Sequence, residues 1–181
     1  MHVQGLNMNE STIYTKLKKK MPELMWNRIE SSTSPGIPDM FSIYRHESIS
    51  EKPAGLVNWI EAKKCKVPAR DESKMPVKIQ PTQTAWLMHA RKNGARVFIA
   101  VLLEPVGSIR LMDGGWSVEL AKGMTKRDFY NRSVEIYTGK VGHEFNDYGI
   151  LTHECHALAI QYGYFVMSGK MTKLDVLTLL N

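Results

Sequence analysis

The chain has 181 residues, 43% hydrophobic and 23% charged, a balance that belongs to ordinary globular proteins and excludes disordered and fibrous classes. That length supports one domain with a core, or one domain with an appendage, rather than two packed domains. Lys and Arg number 24 against 18 Asp and Glu, for a net charge of +6, a bias toward polyanions such as nucleic acid. Cys65 and Cys155 are the only cysteines, too few for a disulfide framework, so a reducing compartment is expected. The start, Met1 to Gly5, lacks the features of a secretory signal, and no apolar stretch approaches a membrane span. A cytoplasmic, soluble protein with no membrane partner is therefore expected.

In chain order, Ile13, Leu17, Met21 and Leu24 have the spacing of a helix with one buried face, begun near Asn9 and ended near Pro22. Its other face carries Lys16, Lys18, Lys19 and Lys20, either a solvated surface or a phosphate contact. Leu24 to Ile29 is a candidate strand, and Ser31 to Gly36 a loop. That loop either turns the chain or, through hydroxyls such as Ser34, meets a phosphate. Asp39 to Tyr44 alternates as a second strand opened by Pro38, a position where proline is tolerated. Arg45 to Gly55 reads as an exposed excursion before a third strand, Leu56 to Lys63, rich in β-branched and aromatic residues.

A polar stretch follows to Pro76, with few apolar anchors, and is a candidate nucleic-acid-facing loop. Pro81-Thr82-Gln83 opens a helix through Trp86, Leu87 and Ala90 that closes at Asn93-Gly94. Val97 to Leu103 is a continuous apolar run, as a buried, parallel strand requires, and should pair with the Glu61 strand. Ser108–Met112 and Trp116–Leu120 flank Asp113-Gly114-Gly115, a hairpin signal. The pattern therefore predicts an α/β core over residues 1–120 and a mostly helical extension over 121–181 packed on it. Helices are expected over Lys126–Ile136, Thr152–Tyr162 and Thr172–Leu180. His143, His153, Glu154, Cys155 and His156 invite a zinc proposal, but their spacing does not match a metalloprotease helix, and an ordinary helix is preferred.

The chemistry concentrates between Pro38 and Lys63. Glu61 and Lys63 lie two apart in a strand, so both project from one face and Ala62 from the other. A carboxylate that holds Mg²⁺ beside an amine that orients a water or offsets developing charge suits phosphodiester hydrolysis, since phosphate oxygens repel an anionic nucleophile until cations screen them. Asp39 adds a second carboxylate at a strand end. A structural ion cluster of Asp39, Glu61 and Lys63 is the alternative.

Gly36-Ile37-Pro38-Asp39, Trp59-Ile60-Glu61-Ala62-Lys63 and Pro81-Thr82-Gln83-Thr84-Ala85-Trp86-Leu87 together resemble the PD-(D/E)XK nuclease superfamily, in particular its VRR-NUC and Holliday-junction-resolvase-like branch. The resemblance spans about Asn9 to Leu103. It implies a restriction-endonuclease-like fold, a mixed central sheet of four or five strands flanked by helices. It further implies Asp39 and Glu61 as metal ligands, joined by the Ala62 carbonyl, and Lys63 as the residue that positions the attacking water. Glu10 matches an acidic first-helix residue that helps bind metal or water, with Glu30 as its rival, and Gln83 matches a helix Gln beside the site. The arginine pair of the VRR branch is absent, Ser32-Thr33-Ser34 standing in that loop. Phosphate grip then falls to Lys64, Lys66 and first-helix lysines such as Lys19, with Ser34 from the loop. The implied activity is a Mg²⁺-dependent DNA endonuclease, with Mn²⁺ able to substitute, acting on branched DNA such as a Holliday junction. DNA is the expected partner, a homodimer is open, and a non-catalytic nucleic-acid-binding protein of the same fold is the alternative.

Overall fold

The computed structural model describes residues 10–22, 24–29, 35–46 and 54–137. Helix α1, Glu10–Lys20, forms because Ile13, Leu17 and Met21 recur every four residues and bury one stripe. Pro22 follows, and the indole of Trp26 donates to the Met21 carbonyl at 2.9 Å, satisfying an acceptor that the helix end leaves open. Strands β1 (Met25–Arg28), β2 (Met40–His46) and β3 (Ala54–Lys66) then form an antiparallel meander.

After β3 the chain crosses over through α2, Pro81–Lys92, to β4, Arg96–Glu104, which runs parallel to β3. Parallel neighbours need such a crossover. Helix α2 has Pro81 in its first turn, where a missing N–H costs nothing. It ends at Asn93 and Gly94, the latter at φ +83°, as expected. Strands β5 (Ser108–Asp113) and β6 (Ser133–Tyr137) add antiparallel to give a six-stranded mixed sheet, order β1-β2-β3-β4-β5-β6.

Alternation along the strands sorts the core into two layers. One face packs Ile60, Ala62, Phe98, Ala100 and Leu102 against α1. The other packs Val97, Ile99, Val101 and Leu103 under Leu87 of α2, together with Leu120 and Phe129. With both faces covered, β4 is apolar throughout, which explains its unbroken run in the sequence. No described helix is long and apolar enough to cross a membrane.

Three expectations change here. The hairpin at Asp113-Gly114-Gly115 does not form. Asp113 instead accepts from the Gly115 N–H at 2.7 Å and from Arg91 Nε at 2.6 Å, so its carboxylate starts a 3₁₀ turn, Gly114–Trp116, that continues into α3, Ser117–Ala121. The hairpin lies earlier, between β4 and β5, where Gly107 takes φ +76° and its N–H donates to the Leu103 carbonyl.

Second, the helix expected over Lys126–Ile136 stops early. Helix α4 covers Lys126–Asn131, and Val134 and Ile136 then alternate into β6. Among the described residues the sheet thus runs to Tyr137, past the Leu120 at which the core was expected to end, and has six strands where four or five were expected. Third, the polar stretch after β3 is well anchored. Met75 and Val77 are buried, Met75 N–H donates to the Met124 carbonyl, and Ser73 and Asp71 carbonyls accept from Lys126 and Arg127 N–H groups, the open donors at the start of α4. The expected helices Thr152–Tyr162 and Thr172–Leu180, and the residues His143 to His156 considered for zinc, lie outside the described residues.

Candidate active site

The site forms where β2 and β3 part company. Their register ends at Met40 opposite Ile60; continued, it would set Pro38 opposite Ala62. Proline has no N–H, so the ladder stops there. The Ala62 N–H is taken instead by Asp39 Oδ2 at 2.8 Å. In a strand the N–H and C=O of one residue point to the same edge, so the Ala62 carbonyl lies on the Asp39 side, opposite a residue with no donor to offer it. Ala62's side chain faces the α1 core and is 1% exposed.

Glu61 and Lys63 project from the other face, as alternation requires. The Glu61 side chain is fully buried and its Oε1 sits 2.7 Å from Lys63 Nζ. The same oxygen accepts from Gln83 Nε2 at 2.6 Å. Gln83 is aimed by its own first-turn position: its Oε1 accepts from the Gln80 N–H at 3.0 Å, which leaves the NH₂ end for Glu61. Glu61 Oε2 is buried with no hydrogen-bond partner. Burial, and after it the nearby Asp39 charge, raises the Glu61 pKa to about 7, against the lowering effect of Lys63. Buried carboxylate oxygens are normally partnered, and here a cation, a water or a proton shared with Asp39 would supply the partner.

Gly36 fixes how Asp39 arrives. It has φ +92°, and a Cβ there would run into the Thr82 carbonyl in the first turn of α2. The loop before Asp39 and the turn that carries Gln83 are therefore in direct backbone contact. Gly36→Ala is expected to lower stability by about 1–3 kcal/mol through the strained φ alone, seen as a lower unfolding midpoint in urea. A midpoint equal to wild type would show that residue 36 does not need this positive φ.

The structure brings together Asp39, Glu61, Ala62, Lys63 and Gln83. The other candidate cations come from the α1 side of the sheet. Lys64 and Lys66 alternate with Lys63 and point from the α1 face, where Lys66 is exposed. Lys19 is exposed on α1 itself. Glu10 is the first residue of α1, described by its backbone; Glu30 and Ser34 lie outside the described residues. Among the described residues no group of three or more His, Cys, Asp or Glu could hold a metal, so two carboxylates and a main-chain carbonyl are what this part of the chain offers.

Sequence reasoning did not single out the row beside the carboxylates. Two residues before Glu61, Trp59 shares its face and packs on Phe41, ring centroids 5.5 Å apart, and on Trp86 of α2 at 5.4 Å. The period of two that links Glu61 to Lys63 would have found Trp59 if run backward.

No protein-family model and no curated protein matches the sequence. Among solved structures the chain is similar to Hjc, a Holliday junction resolvase from Archaeoglobus fulgidus, with a TM-score of 0.37 and 16% identity, covering 66% of this chain and 95% of that one.

Proposed function

We propose that the chain is a divalent-metal-dependent nuclease that hydrolyses DNA phosphodiesters at Asp39, Glu61 and Lys63. The observation that carries this reading is Glu61 Oε2, buried and without a partner while Oε1 is held twice. A side chain built only for an ion pair would have no reason to keep one oxygen bare at the expense of desolvation. A cation beside Asp39 and Glu61 relieves both their repulsion and that orphan.

The donors are hard oxygens: two carboxylates and the Ala62 carbonyl. That set fits Mg²⁺ or Mn²⁺ rather than a thiophilic metal. When bound, the ion supplies a water of lowered pKa and polarises a phosphoryl oxygen. Lys63 holds its ammonium beside that position, where it donates to the phosphate or the nucleophile and offsets charge developing in the transition state. Gln83 and Lys63 together occupy Oε1, so Oε2 is the oxygen kept for the metal. Asp39, fixed by the Ala62 N–H through Oδ2, is set before substrate arrives.

Net charge and motif resemblance support DNA as substrate, and the resemblance adds branched DNA, including a Holliday junction. Symmetric cutting of two strands would require a second copy of the chain. The test is incubation with branched, duplex and single-stranded DNA and an RNA control, in Mg²⁺ and in EDTA. Product that requires the metal is the expected result. Binding equally tight in EDTA, with no product in Mg²⁺ or Mn²⁺, would leave only a nucleic-acid-binding protein.

A further inference from the structure

Among the described residues, no helix covers the whole length of the sheet face that carries Glu61. Cross-strand register sets Asn27, Phe41 and Trp59 side by side in one row, and Met25, Ile43 and Val57 in the next. Helix α2 lies over β4 and meets this region through Trp86. Met25 is 59% exposed and Val57 36%, and Phe41 and Trp59 are half-buried.

We infer that this row is a stacking platform for an unpaired nucleobase next to the phosphodiester bound at Asp39 and Glu61. The inference rests on the nuclease reading and names the substrate class it implies. Two observations carry it. The aromatic row is the immediate neighbour of the carboxylates: Trp59 is two residues from Glu61, Phe41 two from Asp39, on the same face. A duplex presents phosphates outward and would be met by cations, whereas this row is aromatic and apolar, a surface that suits the face of a base and no phosphate.

The geometry thus selects DNA whose bases are splayed at the cleavage point, as at a single strand, a flap or the centre of a junction. The occupant is the base, and a protein or lipid partner for the same face would appear as failure of the following test. The full-length protein is titrated with a short oligothymidylate in Ca²⁺, read by tryptophan fluorescence, and with a fully paired duplex for comparison. Quenching is expected with the oligothymidylate. Trp59→Phe should keep the affinity, since an aromatic face remains, and lose most of the quenching. Phe41→Leu, which keeps apolar bulk, should weaken oligothymidylate binding about fivefold or more and leave duplex binding unchanged, with circular dichroism confirming the fold. Unchanged affinity of Phe41→Leu, or no quenching in the wild type, overturns the platform even if Mg²⁺-dependent cleavage is observed. Quenching and a Phe41-dependent affinity without cleavage in Mg²⁺ would retain the platform and remove the nuclease.

Discussion

Asp39→Asn and Glu61→Gln are each expected to slow metal-dependent DNA cleavage by about a hundredfold to a thousandfold, the scale of removing one preorganised electrostatic group from a reacting centre. Both changes preserve shape and remove charge, so the backbone bond from Ala62 to position 39 persists. The two variants should differ in another respect. Glu61 is the more deeply buried, and burial and the Asp39 charge favour its neutral form in spite of Lys63, so Glu61→Gln should melt no lower than wild type at neutral pH in EDTA. A structural ion cluster predicts the reverse, because deleting one member of a buried pair leaves the other charge stranded and destabilises by several kcal/mol. Initial rates and melting curves on the same preparations separate the two. Wild-type rates in either variant would move the chemistry elsewhere.

In EDTA the protein is expected to lose stability as pH rises from about 5 to 8, and Mg²⁺ or Mn²⁺ to restore it at the upper end. The Glu61 pKa is raised from its ordinary 4.5 to about 7, chiefly by burial and then by the Asp39 charge. A carboxyl raised on folding holds its proton more tightly in the native state than in the unfolded one. Below 4.5 both states are protonated and nothing is lost. Between 4.5 and about 7 the unfolded state releases the proton first, so stability falls with pH, and above 7 the loss is complete. Each tenfold in the ionisation constant is worth about 1.4 kcal/mol, which sets the total at about 3 kcal/mol. A bound cation favours the ionised pair and reverses the trend by mass action. Melting temperatures across that range, with and without the divalent ion, check both parts, and Glu61→Gln should flatten the EDTA curve. A flat wild-type curve, or one that the ion leaves unmoved at pH 8, would argue against a cation between these carboxylates.

Much of this could be read in advance, because it follows from geometry that every residue carries with it. The four-residue recurrence of Ile13, Leu17 and Met21 specifies α1, and the two-residue period of a strand puts Glu61 beside Lys63 with Ala62 turned to the core, whatever surrounds them. Pro38 announces the end of the β2 ladder because it has no N–H, and the unbroken Val97 to Leu103 run announces a strand covered on both faces.

Other features depend on partners far away in the chain. Asp113-Gly114-Gly115 carries hairpin chemistry, yet Arg91, 22 residues earlier, meets the Asp113 carboxylate and a helix follows. Val134 and Ile136 suit a strand or a short helix face, and the open edge of β5 decides for the strand. The polar stretch after β3 looks unanchored until α4 supplies acceptors' partners in Lys126 and Arg127 N–H groups. So too with the site. Sequence determined that Glu61 and Lys63 share one face, because side-chain direction in a strand is local. Only the tertiary structure decided that Gln83 and Lys63 share one Glu61 oxygen and leave the other bare, and that an aromatic row opens beside it, because those depend on where α2 crosses the sheet.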